Sequence, residues 1–192
     1  FADGQNQVDA VFVVDISNGN RDAFISQLLR ARETARSLSH LPNCSFRYGL
    51  VAFHRTAVNI VNFESEPSKD IEKFSEVLLT LRPRQKVRPS VAVGLRAALS
   101  LLNSTSYEDD GERRKVVFVL HDGDSDDDLD KVVDVLKEAK SAQATVMVIG
   151  SSQANDNVLL GLVDGDRKRL YTKGADRIAF NKNIRKVRQR SL

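Results

Sequence analysis

Two acidic residues follow two runs of apolar residues that lie far apart in the chain. Asp15 comes directly after the run 11–14 and opens the fragment Asp15-Ile16-Ser17-Asn18-Gly19, and Asp122 comes shortly after the run 116–120. Carboxylate and hydroxyl oxygens are the ligands that hard divalent cations such as Mg²⁺ prefer in proteins. These residue types therefore indicate a possible cation site, provided that the fold brings the two segments together.

The elements that would position these residues are short apolar strands. The continuous apolar runs 8–14, 115–120 and 144–149 predict strands that are buried on both faces of a parallel sheet. A fourth run, 46–53, leads through His54-Arg55-Thr56 into the alternating segment 57–63, which predicts a hairpin with an antiparallel edge strand. A weak last strand is predicted near residues 170–172.

Helical patterns separate these strands. Three long amphipathic helices are predicted, with shorter ones at residues 71–81 and 157–163 and a basic one at 178–187. The three long faces are Phe24, Leu28, Ala31, Ala35 and Leu38; Val91, Leu95, Ala98, Leu99 and Leu102; and Leu129, Val132, Val133, Leu136 and Ala139. The alternation predicts one α/β domain over residues 1–192, a doubly wound and mostly parallel sheet with helices on both faces and one antiparallel edge strand.

Ligands of an open α/β sheet bind beyond the carboxyl ends of its strands. Asp15 and Asp122 fall at such ends, so we expect them to meet in one crevice. The chain order of these residues resembles that of von Willebrand factor A domains, whose first motif reads Asp-x-Ser-x-Ser, and the segments 11–17, 47–53 and 116–123 carry the same resemblance. The resemblance covers essentially the whole chain and implies the Rossmann-like fold of that family, with its metal-ion-dependent adhesion site.

The resemblance also implies which residues would ligate the ion. Asp15 and Ser17 match the first two ligands and Asp122 matches the final acidic one, whereas Gly19 replaces the second serine and has no oxygen to offer. Ser90 could stand in for the threonine of the family, with Pro89 as a competing alignment. We therefore expect a vestigial site without a bound cation, and binding of Mg²⁺ or Mn²⁺ is the alternative.

The implied function is non-enzymatic. Within the family, residues 46–53 and Asp122-Gly123 are most similar to the A domains of collagen VI, which implies a secreted glycoprotein of the extracellular matrix. Such a module would make protein–protein contacts in collagen VI microfibril assembly or in cell and matrix adhesion. Its partners would be matrix proteins or neighbouring A domains of the same parent chain. The alternative is a working cation-dependent adhesion domain that binds a carboxylate of its partner.

Basic residues are concentrated at the carboxyl-terminal end. The whole chain has a net charge of +3, but residues 167–192 alone carry ten basic side chains and one acidic one, which leaves −6 for the remainder. This basic patch predicts polyanion binding, with sulfated glycosaminoglycan as the candidate ligand. Nucleic acid is not expected, because no aromatic residues are interleaved for base stacking. The candidate residues are Arg167, Lys168, Arg169, Arg185, Lys186, Arg188 and Arg190.

Other chemistries find little support. The sequence has no glycine-rich phosphate loop and no Gly-x-Ser-x-Gly motif, and its three histidines are scattered, so no catalytic residue is expected. We expect His121, the one nearest the crevice, to pack or to form a hydrogen bond. The acidic run 122–128 lacks the spacing of an EF-hand loop. Its members Asp126, Asp127 and Asp128 are predicted to cap the helix that starts near Leu129.

Three further residues bear on the compartment. The single cysteine, Cys44, has no intrachain partner for a disulfide, and we expect a buried thiol or an intermolecular bond. Two glycosylation sequons begin at Asn43 and at Asn103, and the second is the better candidate because a polar stretch after a helix surrounds it. No apolar stretch approaches the roughly 18 residues of a membrane span, so membrane insertion is not expected.

Overall fold

Six strands form one sheet in the computed structural model, which describes residues 6–84, 87–104, 113–127, 129–172 and 177–186. The strands are β1 (Asn6–Asp15), β2 (Cys44–Phe53), β3 (Ala57–Val61), β4 (Arg114–Leu120), β5 (Ala144–Ile149) and β6 (Leu170–Tyr171). Their spatial order is β3-β2-β1-β4-β5-β6, and only the β2–β3 pair at the edge is antiparallel. The predicted sheet, with its antiparallel edge strand, is confirmed.

Seven helices in the described ranges cover the two faces of the sheet. They are α1 (Arg21–Ser39), α2 (Glu66–Lys69), α3 (Ile71–Leu79), α4 (Val91–Asn103), α5 (Leu129–Ser141), α6 (Asp156–Leu162) and α7 (Arg177–Lys186), and a 3₁₀ turn spans Arg167–Arg169. Helices α1, α3 and α7 pack on one face, whereas α4, α5 and α6 pack on the other. Helix α2 was not predicted, because four residues are too few to show a helical period.

The central strand β1 explains why the apolar runs are continuous. From Ala10 to Val14 its side chains alternate between the two hydrophobic layers, so both faces need apolar residues there, whereas the buried Asp9 is paired with arginines. Phe12 stacks on Phe118 of β4 at a centroid distance of 4.8 Å in the layer under α1. Val11 and Val13 lie in the other layer, under α4. Burial on both sides fixes the carboxyl ends of β1 and β4 side by side.

The buried face of helix α5 differs in part from the predicted one. Leu129 is 77% exposed and Val133 is also exposed, whereas Val135 and Ala139 are buried. Val132 and Leu136 are partly buried beside them. The segment offers apolar residues on two overlapping faces, and the helix buries the one that contains Val135. Periodicity alone could not choose between them.

The structure also places the cysteine and the two sequons. Cys44 opens β2 and is half-buried rather than buried as expected. Asn43 is exposed in the preceding turn with a φ of 57°, a left-handed conformation that asparagine tolerates well. Asn103 is exposed too, but it is the last residue of α4 and does not follow the helix. Within the described part of the chain, no helix has the length and apolar character of a membrane span.

Candidate metal-ion site

A cleft of 430 Å³ opens at the carboxyl ends of β1 and β4. Three loops form it, the ones that follow β1, β4 and β5. The structure thus brings Asp15 and Asp122 to one crevice, as the strand pattern predicts. The lining residues are Asp15, Ser17, Asn18, Gly19, Asp122, Gly123, Asp124, Gln153 and Asn155.

The carboxylate of Asp15 is held by its own loop and by a histidine. Its Oδ1 accepts hydrogen bonds from the Ser17 amide at 2.8 Å and from the Ser17 hydroxyl at 2.5 Å. Its Oδ2 lies 2.8 Å from Nδ1 of His121, whose N–H donates to the carboxylate. Because His121 is only 1% exposed and does not line the cleft, it is a buried partner of Asp15 and cannot reach a substrate there.

The carboxylate of Asp122 is more heavily bonded. Its Oδ1 accepts from Nε2 of Gln27 at 2.9 Å and from the Ser151 amide at 2.7 Å. Its Oδ2 accepts from Nδ2 of Asn18 at 3.0 Å and from the Ser151 hydroxyl at 2.5 Å. These donors come from the β1–α1 loop, from α1 and from the β5–α6 loop. Asp122 therefore joins three separate segments of the chain.

These hydrogen bonds leave few lone pairs on the two carboxylates with which to bind a cation. A carboxylate has about four lone-pair sites, and protein donors fill four at Asp122 and three at Asp15. An ion entering the cleft would have to displace several charge-assisted hydrogen bonds, which are roughly twice as strong as neutral ones. In the described ranges, no three His, Cys, Asp or Glu side chains cluster as ligands for a metal.

The remaining expected ligands do not complete the site. Gly19 is exposed on the cleft wall and presents no side-chain oxygen. Ser90 lies outside the cleft lining, since it caps α4 by accepting from the Val93 amide and donates its hydroxyl proton to Asp127 Oδ1 at 2.5 Å. The proposed stand-in for a threonine ligand is thus bonded elsewhere. The donor set does not fit a Mg²⁺ or Mn²⁺ ion.

Asp127 caps a different helix from the one that was predicted. Its carboxylate accepts from the Ala92 amide at 2.9 Å and from the Ser90 and Ser125 hydroxyls, so it caps the start of α4 rather than α5. Asp126 forms an ion pair with Arg88 instead, and Asp128 lies outside the described residues. The loop folds back onto α4 because the Asp126 amide donates to the Pro89 carbonyl at 2.7 Å.

The Asp127 cap leads to a prediction with a defined pH dependence. Burial raises the pKa of Asp127, but hydrogen bonds from Ser90, the Ala92 amide and Ser125 outweigh it and hold the pKa below its ordinary value of 3.8. A lowered pKa stabilises the fold above that ordinary value, and the contribution is lost as the pH falls through the folded-state pKa. We expect Asp127→Ala to lower the free energy of unfolding by about 1 to 2 kcal/mol at pH 7.

The measurement is urea unfolding of both proteins at pH 7 and at about pH 3, below the ordinary pKa. The difference between them should shrink at the lower pH. The control is Asp124→Ala, because Asp124 is exposed and forms its ion pair with the exposed Arg88, so the substitution should change the free energy of unfolding by close to zero. An equal loss for Asp127→Ala at both pH values would show that its charge does not stabilise the cap.

The donors that saturate Asp122 were not predicted from the sequence. Gln27 is 3% exposed on the buried face of α1 and also donates to the Ile149 carbonyl. A glutamine on the same face as Phe24 and Leu28 could have signalled a buried polar partner. Ser151 is 5% exposed, but its position directly after β5 gives no comparable signal.

The basic candidates divide into three groups. Arg167 and Lys168 in the 3₁₀ turn are exposed, as are Arg185 and Lys186 at the end of α7. Arg169 turns inward, since its guanidinium donates to the Val163 and Val146 carbonyls, so it is a structural residue. The remaining candidates, Arg188 and Arg190, lie outside the described residues.

Comparisons with known proteins agree with this architecture. Residues 9–185 match the family model of the von Willebrand factor type A domain. Comparison with curated protein sequences gives no significant match.

Solved structures share the fold at low sequence identity. The manganese-loaded TRAP protein of Plasmodium vivax aligns with a TM-score of 0.74 and 18% identity, over 94% of this chain and 71% of its own. Proximal thread matrix protein 1 from the mussel byssus, with a zinc-occupied MIDAS motif, aligns with a TM-score of 0.68 and 14% identity, over 95% of this chain and 46% of its own. The conserved hypothetical protein BatB from Bacteroides thetaiotaomicron aligns with a TM-score of 0.66 and 15% identity, over 94% of this chain and 96% of its own. The chain thus spans about half of the mussel protein.

Proposed function

The chain belongs to the von Willebrand factor type A domain family, and from this premise we propose that it binds a protein partner without the help of a divalent cation. Domains of this family are protein–protein interaction modules and are generally non-enzymatic. In this chain, contact with the partner would rest on the protein surface itself. The cleft at Asp15 and Asp122 would be a structural junction and not a site that captures a carboxylate through a metal ion.

The observation that carries the proposal is the hydrogen bonding of the two carboxylates. Seven protein donors bond to Asp15 and Asp122. A metal-dependent mechanism needs open coordination positions on oxygens that are already in place. Here Gly19 supplies none, and the hydroxyl of Ser90 bonds to Asp127.

We also propose a setting for this module. The similarity of residues 46–53 and of Asp122-Gly123 to the N-terminal A-domain array of the collagen VI alpha-3 chain supports a secreted module of the extracellular matrix. The exposed side chains of Asn43 and Asn103 are accessible for glycosylation, which is consistent with secretion. The partners would be matrix proteins or neighbouring A domains of the same parent chain, in microfibril assembly or adhesion.

The test is binding of the immobilised domain, by surface plasmon resonance, to collagen VI microfibrils, to neighbouring A domains and to a panel of other matrix proteins. Each titration is run with Mg²⁺ and Mn²⁺ and again in EDTA. We expect the same affinity in both buffers, because no contact passes through an ion. An A domain that keeps the Asp-x-Ser-x-Ser motif serves as the cation-dependent control.

Each outcome bears on a different part of the proposal. Binding that disappears in EDTA while the fold persists would overturn cation independence. Cation-independent binding to matrix proteins of another kind would keep the mechanism and reject the collagen VI setting. Failure to bind any matrix protein or A domain in either buffer would reject the function as a whole.

A further inference from the structure

Two basic segments that are separate in sequence form one surface. The Asn183 side chain of α7 donates to the carbonyl of Lys168 at 3.3 Å, which places α7 against the 3₁₀ turn. On α7, Lys182, Arg185 and Lys186 have the spacing i, i+3, i+4, so they share one side of the helix. We call this surface the basic ridge; it consists of the exposed residues Arg167, Lys168, Lys182, Arg185 and Lys186.

The charges of the basic ridge are not neutralised by the fold. In the described part of the chain, none of its five side chains forms an ion pair with an acidic residue. Two acidic residues nearby form ion pairs with other cations, Asp166 with Arg169 and Glu33 with Arg30. Five like charges on one surface repel one another, and a polyanion would relieve that repulsion.

Helix α7 also borders a groove, whose lining includes Arg185 of the basic ridge. The groove has a volume of 660 Å³ and runs between α1 and α7, with Arg36, His40 and Arg185 among its lining residues. Asn181 fixes its position by accepting from Arg30 of α1 at 2.8 Å. Arg30 and Arg36 in this groove form ion pairs with Glu33 and Glu72, so among the described arginines that line it only Arg185 adds unpaired charge to an anionic chain lying along α7.

The basic ridge is distant from the cleft of Asp15 and Asp122. Arg167 and Lys168 lie in the 3₁₀ turn that directly precedes β6, which runs parallel to β5, so the basic ridge lies toward the end of the sheet where the strands start. The cleft lies where β1 and β4 end. Binding at the two places can therefore be tested separately, and neither result depends on the other.

We propose that the basic ridge binds a sulfated polysaccharide. Sulfate groups repeated along a flexible chain match several point charges without demanding shape complementarity, and lysine is a compact point charge of this kind. No aromatic side chain belongs to the ridge, so base stacking, which supports binding of single-stranded nucleic acid, is missing there. The ligand class is set by charge and by this lack of a stacking surface.

The test is titration of the intact chain with a heparin oligosaccharide at physiological salt. The triple variant Lys182→Gln, Arg185→Gln, Lys186→Gln should weaken binding at least about tenfold, and the pair Arg167→Gln, Lys168→Gln should weaken it by about threefold or more. The control Lys69→Gln, Lys137→Gln, Lys140→Gln removes the same charge from exposed positions elsewhere. It should change the affinity by less than about twofold.

Point substitutions are preferable to a truncation at Asp176. A truncation would remove Phe180 and Ile184, which are 0% and 4% exposed in the core. Equal effects of the triple and control variants would overturn the proposal, as would binding that the 167–168 pair leaves unchanged. It would also fail if single-stranded DNA or fully desulfated heparin competed as well as the sulfated oligosaccharide.

Discussion

Replacing Asp122 with alanine is expected to lower the free energy of unfolding by about 3 kcal/mol, in EDTA as well as in Mn²⁺. The substitution removes the acceptor of four hydrogen bonds and leaves two buried donors of Ser151 without this partner, while Gln27 keeps only its hydrogen bond to the Ile149 carbonyl. Asp122→Asn should lower the free energy of unfolding by nearly as much. Each carboxylate oxygen of Asp122 accepts two hydrogen bonds. Whichever way the asparagine side chain is flipped, its NH₂ group would therefore point at two hydrogen-bond donors.

Urea unfolding in EDTA distinguishes this structural role from that of a metal ligand. If Asp15 and Asp122 were arranged around a missing ion, removal of one carboxylate would relieve repulsion and raise the free energy of unfolding. A gain in stability on Asp122→Ala in EDTA would therefore contradict the role assigned here. Glu64→Ala, at an exposed acidic position outside the cleft, controls for the change in net charge.

Replacing Asp9 with alanine is expected to lower the free energy of unfolding by more than Asp122→Ala does, by about 3 to 5 kcal/mol. Asp9 lies in the central strand β1 and is 1% exposed. Its carboxylate accepts from Nε and an Nη of Arg47 at 2.9 and 2.7 Å and from Nε of Arg113 at 2.8 Å. Its removal leaves two guanidinium groups mostly buried without their anion, and uncompensated buried charge is costly.

The comparison for Asp9 is an exposed ion pair of the same type. Arg36 bonds to Glu72 at 2.8 Å, but both side chains are well exposed. Glu72→Ala should therefore change the free energy of unfolding by less than about 1 kcal/mol. Thermal and urea unfolding of the two variants measure the difference. Similar small losses for both would mean that the two arginines relax into water when Asp9 is removed.

The sequence predicted most of the fold because buried parallel strands and amphipathic helices have strong local patterns. Continuous apolar runs located the central strands, and the alternation in 57–63 identified the edge strand. The predicted face of α5 was partly right, because Ala139 is buried and Val132 and Leu136 are partly buried, but Leu129 and Val133 are exposed and the buried Val135 was not predicted. Helix α2 was not predicted because four residues are too few to show a helical period of hydrophobicity.

The candidate site was only partly predictable, because its decisive contacts join residues far apart in the chain. The strand ends placed Asp15 and Asp122 together correctly. The pairing of Asp127 with Ser90 spans 37 positions and depends on how one loop folds over α4. The four donors to Asp122 lie 29 to 104 positions away, and their hydroxyl and amide groups carry no periodic signal. Among these donors only Gln27 offered a local signal, as a polar residue on an apolar helix face, and it was not predicted.

The most direct test of the central claim is calorimetric titration of Mn²⁺ and Mg²⁺ into EDTA-stripped protein, beside the variant Gly19→Ser. No atom lies within 4 Å of the position that a Cβ at Gly19 would take, so a serine fits without strain. We predict no saturable binding to the natural chain and at most weak binding to the variant, because protein donors still hold Asp122. Micromolar binding of either ion by the natural chain would contradict the claim. Micromolar binding by Gly19→Ser alone would show that a missing hydroxyl, and not the filled carboxylates, keeps the cation out.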